Sequence, residues 1–356
     1  MSSPLALSDV SAVRVFPYAG DRNEWDGFVR RTADGTFFHL IGWKNVLEQA
    51  FGFTSRYLVA RRDGRIVGVL PLFELGSRIS GRCLLSVPFA VEGGVCGEDA
   101  EARRALEVEA LTLCAQRTAA YVELRDGCNG TAFEVRKALY YRFRRVIHPT
   151  DDENMAAIRR KQRRMIRVGQ QSGLTSRVRA DDLSAFYDLY ARSVRHLGTP
   201  VFPERYFQLF LEQFPDECVL LTVQREGRSV AGVLSFFFND TVLPYYAGSH
   251  RDFFRYAIND FMYWELMCYA RARGARVFDF GRSKMGSGAF DFKCHWGFEP
   301  EPLRYRVHVR DDRALPDRSM NSSRVQLLKS AWARLPLGLT KFLGPFFIRR
   351  YGAFYT

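Results

Sequence analysis

The sequence predicts an α/β (α+β) chain of two tandem domains, each a mixed, mostly antiparallel sheet flanked by helices. Three observations support this fold class. The chain has 356 residues, and globular domains usually contain about 100–200. An internal repeat recurs at an offset of 163 to 164 residues. In both halves the repeat is followed by a helix-like segment and then by a strand-like segment, so the two halves have the same order of elements.

Each copy of the repeat begins as a helix and continues as a β-hairpin. Leu47-Glu48-Gln49 in the first half recurs as Leu211-Glu212-Gln213 in the second. An acidic residue followed by glycine then separates two apolar runs, and this pair supplies the positive φ angles of a tight turn. The turns are Asp63-Gly64, between Tyr57–Ala60 and Val67–Phe73, and Glu226-Gly227, between Val219–Val223 and Ala231–Phe237.

A helix and a strand follow each hairpin. The predicted pairs are Asp99–Arg117 with Ala120–Leu124, and Tyr256–Arg273 with Ala275–Phe280. The later helix has an apolar stripe typical of packing on a sheet, formed by Ala257, Phe261, Trp264 and Cys268. Met155–Gly169 combines an apolar face with basic residues, and we expect it to be the helix that connects the two halves.

These elements place a first domain at 13–150, a second at 151–310 and a basic, aromatic-rich tail at 311–356. With 47% hydrophobic and 26% charged residues, the composition excludes disorder, collagen and coiled coil as the main state. The seven cysteines form no Cys-x-x-Cys pair, so we expect reduced thiols and no metal site. Residues 1–20 have no secretion-signal pattern, which favours a cytoplasmic protein. Peripheral contact with the inner membrane through the tail is one of two alternatives for that segment.

The positive charge is concentrated in two segments. Residues 154–180 contain eight basic residues and residues 318–356 contain seven, with no acid in either. Together they exceed the net charge of +13 of the whole chain, which indicates two anion contacts rather than a generally cationic surface. The tail alternates apolar, aromatic and basic residues interrupted by Pro336, Lys341 and Pro345. Its uninterrupted apolar runs are too short to span a bilayer. The tail is either a segment that lies on an anionic membrane surface or a helix that packs on the protein.

Short motifs in the second half resemble a known family. They are Arg195-His196-Leu197-Gly198-Thr199-Pro200, Tyr245-Tyr246-Ala247-Gly248-Ser249, Asp279-Phe280-Gly281-Arg282-Ser283, Gly286-Ser287-Gly288, Phe292-Lys293 and Trp296-Gly297-Phe298. With the repeat and the basic segment, they resemble the FemAB-like branch of the GNAT acyltransferase superfamily. The FemAB-type proteins that accompany exosortase (PEP-CTERM) and exopolysaccharide systems are the most similar. The resemblance covers roughly Phe37 to His308 and is strongest from Ile158 to Phe298.

The resemblance implies two GNAT folds that transfer an acyl or aminoacyl group directly to an amine or hydroxyl of a cell-envelope or exopolysaccharide precursor. In peptidoglycan-bridge relatives the donor is aminoacyl-tRNA and the acceptor is a nucleotide-linked or lipid-linked muropeptide. Their Phe-Lys pair matches Phe292-Lys293, and in them the lysine lies near the reacting carbonyl and the donor phosphate. Lys44 and Arg195 are the candidates for their phosphate-binding residues.

Four residues are candidates for catalysis: Lys293, Asp279, Tyr246 and Phe292. A fixed cation near the carbonyl stabilises the oxyanion of acyl transfer, which suits Lys293; the alternative is an ordinary surface lysine. Asp279 ends a predicted strand and either orients or deprotonates the acceptor, or caps the following loop. Tyr245 or Tyr246 can protonate a leaving group, although neighbours on a strand alternate faces, so at least one should only pack.

The remaining candidates would bind substrate or phosphate. The substrate-binding set is Trp43, Lys44, Arg195, His196, Thr199, Tyr245, Gly281, Arg282, Ser283, Gly288 and Trp296. The first domain would add a cleft wall through Pro88, Phe89, Glu92, Gly93 and Gly94. The connecting helix would hold a donor diphosphate or tRNA through Arg159, Lys161, Arg163 and Arg167, unless these residues form a solvated face.

We expect no bound cofactor, and aminoacyl-tRNA or acyl-CoA as donor substrate. A Gly-rich pyrophosphate motif of the form Arg/Gln-x-x-Gly-x-Gly/Ala is matched only incompletely, at Arg78–Cys83 and Gln224–Ser229, which favours the aminoacylated donor. Three alternatives remain: an acyl-CoA- or acyl-carrier-dependent N-acyltransferase acting on an amino sugar, a non-catalytic scaffold of an exopolysaccharide or exosortase system, and a nucleic-acid-binding protein. The last is disfavoured because no recognition motif accompanies the basic segment.

Overall fold

The computed structural model describes residues 12–77, 81–126, 133–135, 139–310 and 323–355. The elements of the first half are β1 (Arg14–Pro17), α1 (Arg22–Arg31), α2 (Ile41–Phe51), β2 (Thr54–Ser55), β3 (Leu58–Arg62), β4 (Arg65–Leu70), β5 (Phe73–Ser77), β6 (Gly81–Ser86), β7 (Cys96–Gly97), α3 (Ala100–Gln116), β8 (Tyr121–Leu124), β9 (Glu134–Val135) and β10 (Tyr140–Val146).

The elements of the second half and the tail are α4 (Asp151–Ala157), α5 (Arg160–Gln171), β11 (Leu174–Val178), α6 (Leu183–His196), α7 (Glu204–Gln213), β12 (Cys218–Arg225), β13 (Arg228–Phe238), β14 (Thr241–Ser249), α8 (Ile258–Ala272), β15 (Val277–Lys284), α9 (Gly288–His295), β16 (Pro300–Pro302), β17 (Arg306–Val309), α10 (Ser323–Arg334) and α11 (Leu337–Tyr355).

The predicted repeat is confirmed. Helix α2 precedes the β3–β4 hairpin, and helix α7 precedes the β12–β13 hairpin. The turn residues Asp63 and Gly64 have φ of 51° and 76°, and Glu226 and Gly227 have φ of 52° and 76°. Two consecutive positive φ values match the right-handed twist of hairpin strands, which explains the acidic residue followed by glycine in both copies. The predicted helix–strand pairs are also present, as α3–β8 and α8–β15.

The described residues form three sheets, and the predicted mixed α/β class is confirmed. The first half has a four-stranded sheet in the order β1-β3-β4-β7 and a six-stranded sheet in the order β2-β5-β6-β8-β17-β9. The second half has a seven-stranded sheet in the order β11-β12-β13-β14-β15-β10-β16. Among the described ladders, the parallel pairs are β6–β8 and β14–β15, and all others are antiparallel.

The two halves exchange strands. β10, at the end of the first half, pairs with β15 of the second half, and β17, at the end of the second half, pairs with β8 of the first half. Arg306 on β17 is fully buried, and its Nε and Nη2 lie 2.6 and 3.0 Å from the carboxylate oxygens of Asp126. The hydrogen bonding of the six-stranded and seven-stranded sheets therefore crosses the predicted limit at 150. The predicted domain bounds stay a prediction.

An aromatic core joins the halves. Phe37 of the first half stacks on Phe236 of β13 with ring centroids 4.4 Å apart, and one hydrophobic cluster contains residues of both halves. Trp43 has no exposed surface in this cluster, and its Nε1 donates to the carbonyl of Pro88 at 3.4 Å. The side chain that we expected to bind substrate thus lies in the interface core.

The connecting segment differs from the prediction of one helix over 155–169. Helix α4 ends at Ala157 and α5 begins at Arg160, because Ile158 takes an extended conformation (φ −83°, ψ 142°) and buries its side chain. The break turns α5 so that Ile166 and Gly169 also face inward. Gly169 lies against α8, where an added Cβ would lie 2.7 Å from the Cβ of Phe261.

The described part of the tail forms two helices: α10 packs on α6 of the second half, and α11 packs on α6 and also on β5 and α2 of the first half. α11 continues through Pro345, so the predicted interruption at that residue is absent. Thr340, Gly344 and Ile348 form its buried face. Within the part of the chain that the structure describes, no helix has the length and hydropathy needed to cross a bilayer.

Candidate active site

Strands β14 and β15 open between their carboxyl-terminal parts. They pair in parallel only at Thr241 with Val277 and at Val242 with Phe278. Beyond these positions β14 continues along β13 and β15 continues along β10, so the two strands follow different neighbours. A seam between parallel strands presents backbone groups to an extended ligand. The predicted site residues at this seam are Lys293, the two tyrosines of β14 and the residues of β15.

A bulge in β14 sets the direction of two tyrosines. Leu234 pairs with Tyr246 but Ser235 pairs with Pro244, so Tyr245 is the extra residue. Tyr245 Oη donates to the carbonyl of Phe89 at 2.6 Å, and Tyr246 Oη lies 2.7 Å from Tyr206 Oη. Burial raises the pKa of both tyrosines above the ordinary value. Both rings contact the aromatic core, because the bulge overrides the alternation expected of neighbours on a strand.

Lys293 lies on α9 beneath β15. Its ammonium nitrogen Nζ donates to the carbonyl of Phe280 at 2.6 Å and to that of Arg282 at 3.2 Å, and the side chain is buried. Burial lowers the pKa of Lys293 to about 7, although Asp279 opposes the shift. Both the charged and the neutral amine are therefore present near neutral pH, and Lys293 is not a surface lysine.

Asp279 is buried inside β15, which extends to Lys284, rather than at the end of a strand as predicted. Its Oδ2 accepts from Arg142 Nε at 2.8 Å and from Arg142 Nη2 at 2.5 Å, and its Oδ1 accepts from the amide of Gly281 at 2.8 Å. Arg142 Nη1 also binds Glu92 Oε1 at 2.5 Å. With its oxygens held by these donors, Asp279 orients Arg142 better than it could accept a proton from an acceptor.

The residues after Asp279 form a bulged strand instead of the predicted loop. Gly281 has φ of +64°, and an added Cβ would lie 3.5 Å from Val91 of the first half. Arg282 Nη1 lies 3.0 Å from Tyr305 Oη. Ser283 Oγ is buried and, among the described atoms, has no hydrogen-bond partner. Gly288 is the first residue of α9, next to the capping residue Ser287.

A cleft of about 490 Å³ lies between the halves, next to this strand. Glu92, Gly93 and Gly94 of the predicted wall line it together with Arg142, and a second cleft of about 350 Å³ shares Glu92 and Arg142. Phe89 instead lies buried in the aromatic core. Burial raises the pKa of Glu92, and Arg142 opposes the shift. Neither Lys293 nor Asp279 lines these two clefts, so Arg142 connects the clefts to the motif strand.

His39 is a cleft residue that the sequence did not single out. Its Nε2 lies 3.0 Å from the carbonyl of Gly94, and its Nδ1 lies 2.8 Å from Thr36 Oγ1. Burial lowers the pKa of His39 to about 4, so the imidazole is neutral at neutral pH. A lone histidine has no sequence signal for this role. Arg142 and Arg144 did have a sequence signal, because arginines two residues apart on a strand share a face. Both line the cleft.

Trp296 and Phe292 pack behind the strand instead of facing the clefts. Trp296 is fully buried, and its Nε1 donates to Asp260 Oδ1 at 3.0 Å. Phe292 is half-buried with its ring centroid 6.0 Å from that of Trp296. Gln162 of α5 donates to the same Asp260 oxygen at 3.3 Å. This network fixes α9, and therefore Lys293, against α5 and α8.

Four other candidates lie outside the clefts. Lys44 forms an ion pair with Glu48 on α2 at 3.1 Å. Arg195 and His196 end α6, and Arg195 Nη1 donates to the carbonyl of Leu335 in the tail at 3.2 Å. Burial and neighbouring arginines lower the pKa of the exposed His196. Thr199 follows in the same turn, so this group lies beside the tail helices.

The basic residues of the connecting segment are mostly exposed. Arg159 and Lys161 lie at the start of α5 and Arg167 on its outer face, while Arg163 is half-buried and donates to the carbonyl of Ala156 at 2.9 Å. Arg159 is adjacent to α9, since an added Cβ at Gly297 would lie 3.8 Å from its Cγ. The basic face therefore begins next to the helix that carries Lys293.

Comparison with known proteins shows which domain family part of the second half matches and which fold the chain has. Residues 153–294 match the acetyltransferase (GNAT) domain family, and this range includes α5, the seam and Lys293. Two solved structures cover nearly the whole fold: FemX, at TM-score 0.68 and 16% identity over 84% of this chain and 98% of that one, and a tandem GNAT protein from the clavulanic acid biosynthesis pathway, at TM-score 0.54 and 11% identity over 85% and 100%. The chain has a tandem GNAT-like fold.

The tandem GNAT-like fold also occurs in a protein named for lipid chemistry. The C-terminal domain of a putative lysylphosphatidylglycerol synthetase from Agrobacterium fabrum aligns at TM-score 0.56 and 12% identity, over 93% of this chain and 97% of that one. No curated protein sequence matches the chain. The likeness thus establishes the fold, while the substrates have to be argued from the site.

Proposed function

We propose that this tandem GNAT-like protein transfers an acyl or aminoacyl group to an amine or hydroxyl of a cell-envelope or exopolysaccharide precursor, by direct attack on the donor carbonyl. The observation that carries the proposal is the buried amine of Lys293 under the open β14–β15 seam. The match of residues 153–294 to an acetyltransferase domain supports acyl transfer. FemX and the lysylphosphatidylglycerol synthetase domain share the fold and support an envelope acceptor.

Lys293 has one position left for chemistry. Two of its N–H groups are directed at the carbonyls of Phe280 and Arg282. In the charged form, the third N–H donates to the oxyanion that forms when the acceptor nitrogen or oxygen attacks the donor carbonyl carbon. Loss of one such donor typically costs about 2.7–4 kcal/mol of transition-state stabilisation. The tetrahedral intermediate then expels the donor's leaving group, which takes up the proton released by the acceptor.

The other residues hold and orient the reactants. Arg142, fixed by Asp279, presents its guanidinium to the cleft and suits a phosphate or carboxylate of a precursor. Tyr245 and Tyr246 stay protonated near neutral pH because burial raises their pKa, and Tyr245 lies at the bulge beside the seam. Arg282, backed by Tyr305, lies on the same strand as Asp279. Tyr245 already donates its hydroxyl proton to the carbonyl of Phe89, and Asp279 is held by Arg142 and the amide of Gly281, so the proton for the leaving group comes from the acceptor.

Aminoacyl-tRNA is the proposed donor. Arg159, Lys161 and Arg167 form an exposed basic face that begins beside α9, and such a face suits the phosphate backbone of a nucleic acid. The incomplete pyrophosphate motif at Gln224–Ser229 includes Glu226 and Gly227, which form a hairpin turn, and residues 78–80 of the other lie outside the described residues.

The decisive experiment supplies both donors in parallel. Purified protein is incubated with envelope-glycan precursors and either a labelled aminoacyl-tRNA pool or labelled acyl-CoA. We expect label to enter the glycan or lipid fraction from tRNA, with a loss of about 100-fold or more in Lys293→Ala and little change in the control Lys284→Ala.

An oxyanion donor must be protonated, so the rate should fall as pH rises through about 7. A rate that rises there would assign Lys293 as a base instead.

An acyl-CoA-dependent N-acyltransferase acting on an amino sugar is the second candidate. It is favoured by the segment between β14 and α8, where Ala257 has φ of +54° and is the N-cap of a 15-residue helix. Arg251 and Arg255 are exposed on the turn before it. A helix N-terminus beside arginines suits an anionic donor. Transfer from acyl-CoA that is lost in Arg251→Ser would favour this candidate.

The exosortase (PEP-CTERM) setting rests on the sequence motifs alone and stays a prediction. The scaffold alternative predicts that Lys293→Ala leaves exopolysaccharide production unchanged in a producing strain. Loss of the product with normal amounts of the variant protein would exclude a scaffold, because the substitution removes one amine and leaves the surface intact.

A further inference from the structure

The two tail helices present apolar side chains to solvent. We define the apolar tail face as Leu327 and Leu328 of α10 and Leu339, Phe342 and Phe346 of α11. Phe342 is 79% exposed, more than any other large hydrophobic side chain in the described part of the chain. Leu339, Phe342 and Phe346 are spaced three and four residues apart, so they share one side of α11.

This exposure does not come from a loosely attached tail. Thr340, Gly344 and Ile348 bury the opposite side of α11. At Gly344 an added Cβ would lie 2.3 Å from the carbonyl oxygen of Val201, so the helix backbone touches the body of the protein. Lys341 binds Asp188 of α6, and Arg195 binds the carbonyl of Leu335 between the tail helices. The tail holds one orientation, with Phe342 and Phe346 outward.

The apolar tail face continues onto the body. Gly198 lies against α10, since an added Cβ would be 2.6 Å from the carbonyl oxygen of Lys329. Its neighbour Leu197, at the end of α6, is 72% exposed. The apolar tail face therefore continues onto one residue of the GNAT-like body. A partner surface that docks on this face would lie at a fixed position relative to Arg195 and Thr199.

The charge around the patch decides which partner fits. Residues 318–356 contain seven basic residues and no acid, and Arg334, Arg349 and Arg350 are exposed. Leucine and phenylalanine flanked by arginine suit a surface with an apolar interior and negative headgroups. A second copy of the chain would have to meet this positive tail with an equally positive one. We propose that the apolar tail face docks on an anionic phospholipid bilayer without crossing it.

The docking also restricts the class of acceptor substrate, and this step rests on the proposed function. Arg195, His196 and Thr199 lie in the turn next to Leu197, so docking brings them to the depth of the lipid headgroups. A precursor carried on a lipid diphosphate presents its phosphates at that depth. The acceptor class is therefore a lipid-linked precursor rather than a nucleotide-linked one.

Vesicle sedimentation tests the docking without any assay of activity. Wild-type protein is mixed with phosphatidylcholine vesicles, with or without phosphatidylglycerol, at low and physiological salt. We expect binding that requires phosphatidylglycerol and weakens about 10–100-fold in Phe342→Ser/Phe346→Ser. Arg334→Ser/Arg350→Ser should weaken binding about 5-fold per residue. The matched control Phe16→Ser/Phe254→Ser also removes two exposed rings and should bind like wild type.

Three results would overturn the docking. One is absence of wild-type binding to the anionic vesicles, and another is equal binding by the tail variant and the matched control. The third is a wild-type dimer in light scattering that the tail variant converts to a monomer, without vesicle binding, which would make the face an interface between copies. Circular dichroism and gel filtration establish that each variant is folded before these results are interpreted.

A second measurement separates the docking from the transfer reaction. Transfer is compared between a lipid-linked acceptor in vesicles and a soluble nucleotide-linked acceptor. We expect the tail variant to lose only the lipid-linked reaction. Equal loss of both reactions in a folded tail variant, or a wild-type preference for the nucleotide-linked acceptor, contradicts the acceptor class. Vesicle binding without transfer to either acceptor would refute the proposed function and leave the docking intact.

Discussion

The two halves repeat the same elements but differ where their parallel strands meet. In the first half, β6 and β8 pair over four residues, from Cys83 with Tyr121 to Ser86 with Leu124. Their counterparts β14 and β15 pair over two residues and then diverge. The closed pair supports the segment Val87–Val95, which reaches the second half through Phe89 and Val91. In the first half, the closed strand pair therefore supports a wall of the cleft. In the second half, the strand pair that diverges leaves a gap at the candidate active site.

The exchanged strands show the same contrast. Each carries an arginine that binds two carboxylates: Arg306 binds Asp126 and Glu107, and Arg142 binds Asp279 and Glu92. Arg306 is fully buried, whereas Arg142 lines both clefts. Both ion-pair clusters join the halves. The Arg142 cluster in addition leaves its guanidinium accessible to an anion in the clefts.

Replacement of either arginine should lower stability by a similar amount, because each leaves a buried carboxylate without its cation. Arg306→Met leaves Asp126 and Glu107 as charges with little solvent, which should lower the free energy of unfolding by about 3–5 kcal/mol. Arg142→Met leaves Asp279, which is 1% exposed, together with the more exposed Glu92, and should also cost about 3–5 kcal/mol. Urea unfolding followed by circular dichroism measures both.

The same pair separates structure from function. Arg142→Met should lose transfer in the proposed assay at temperatures where it is still folded, whereas Arg306→Met should be active wherever it is folded. A folded Arg142→Met that is fully active, or a folded Arg306→Met that is inactive, would contradict the assignment of the two clusters.

Lys293 should make the stability of the second half depend on alkaline pH. Its folded pKa of about 7 is below the ordinary 10.5, so the unfolded chain holds a proton that the folded chain lacks between these values. Wild-type stability therefore rises with pH across this window, by about 4 kcal/mol from this group. Lys293→Met lacks the rise, so its stability relative to wild type should be greatest below pH 7. Urea titrations from pH 6 to 10 measure the difference, and parallel curves would refute the buried amine.

Sequence reasoning recovered what local patterns encode. The turns at Asp63-Gly64 and Glu226-Gly227 and the helices before β8 and β15 depend on neighbouring residues, and they are confirmed. The strand exchange could not be predicted, because β10 and β17 have their partners far away in the chain. The same applies to Asp279, whose place inside β15 depends on pairing with β10.

The candidate site was predicted unevenly for a related reason. Lys293 and the residues of β15 come together because they lie close in sequence. Arg142 was missed, since it reaches Asp279 only through the exchange. Trp43 and Trp296 are large aromatic residues, and a single sequence does not distinguish a ring in a core from a ring in a cleft.

His39 should give the first half an acid-dependent stability. Its folded pKa of about 4 is below the ordinary 6.5, so the unfolded chain binds a proton that the folded chain does not between these values. Stability from this group is complete above pH 6.5 and is lost as pH falls towards 4, by about 2–3 kcal/mol. In His39→Gln this loss should be absent, while the alkaline rise from Lys293 should be retained. Guanidinium unfolding between pH 4 and 7 measures it, and an unchanged slope in the variant would mean that His39 is solvated.

The smallest effect tests whether the two hairpins are equivalent. Gly64 and Gly227 both have φ of +76°, and an added Cβ at either would meet nothing within 4 Å. Gly64→Ala and Gly227→Ala should therefore each cost only the backbone strain of a left-handed residue, about 1–2 kcal/mol, and the two values should agree within about 0.5 kcal/mol. Gly27→Ala, in helix α1 with the same open space, should instead stabilise by about 0.5–1 kcal/mol. If one hairpin proves much more sensitive, its turn is coupled to contacts that the other lacks, and the halves differ in their scaffold as well as in their seam.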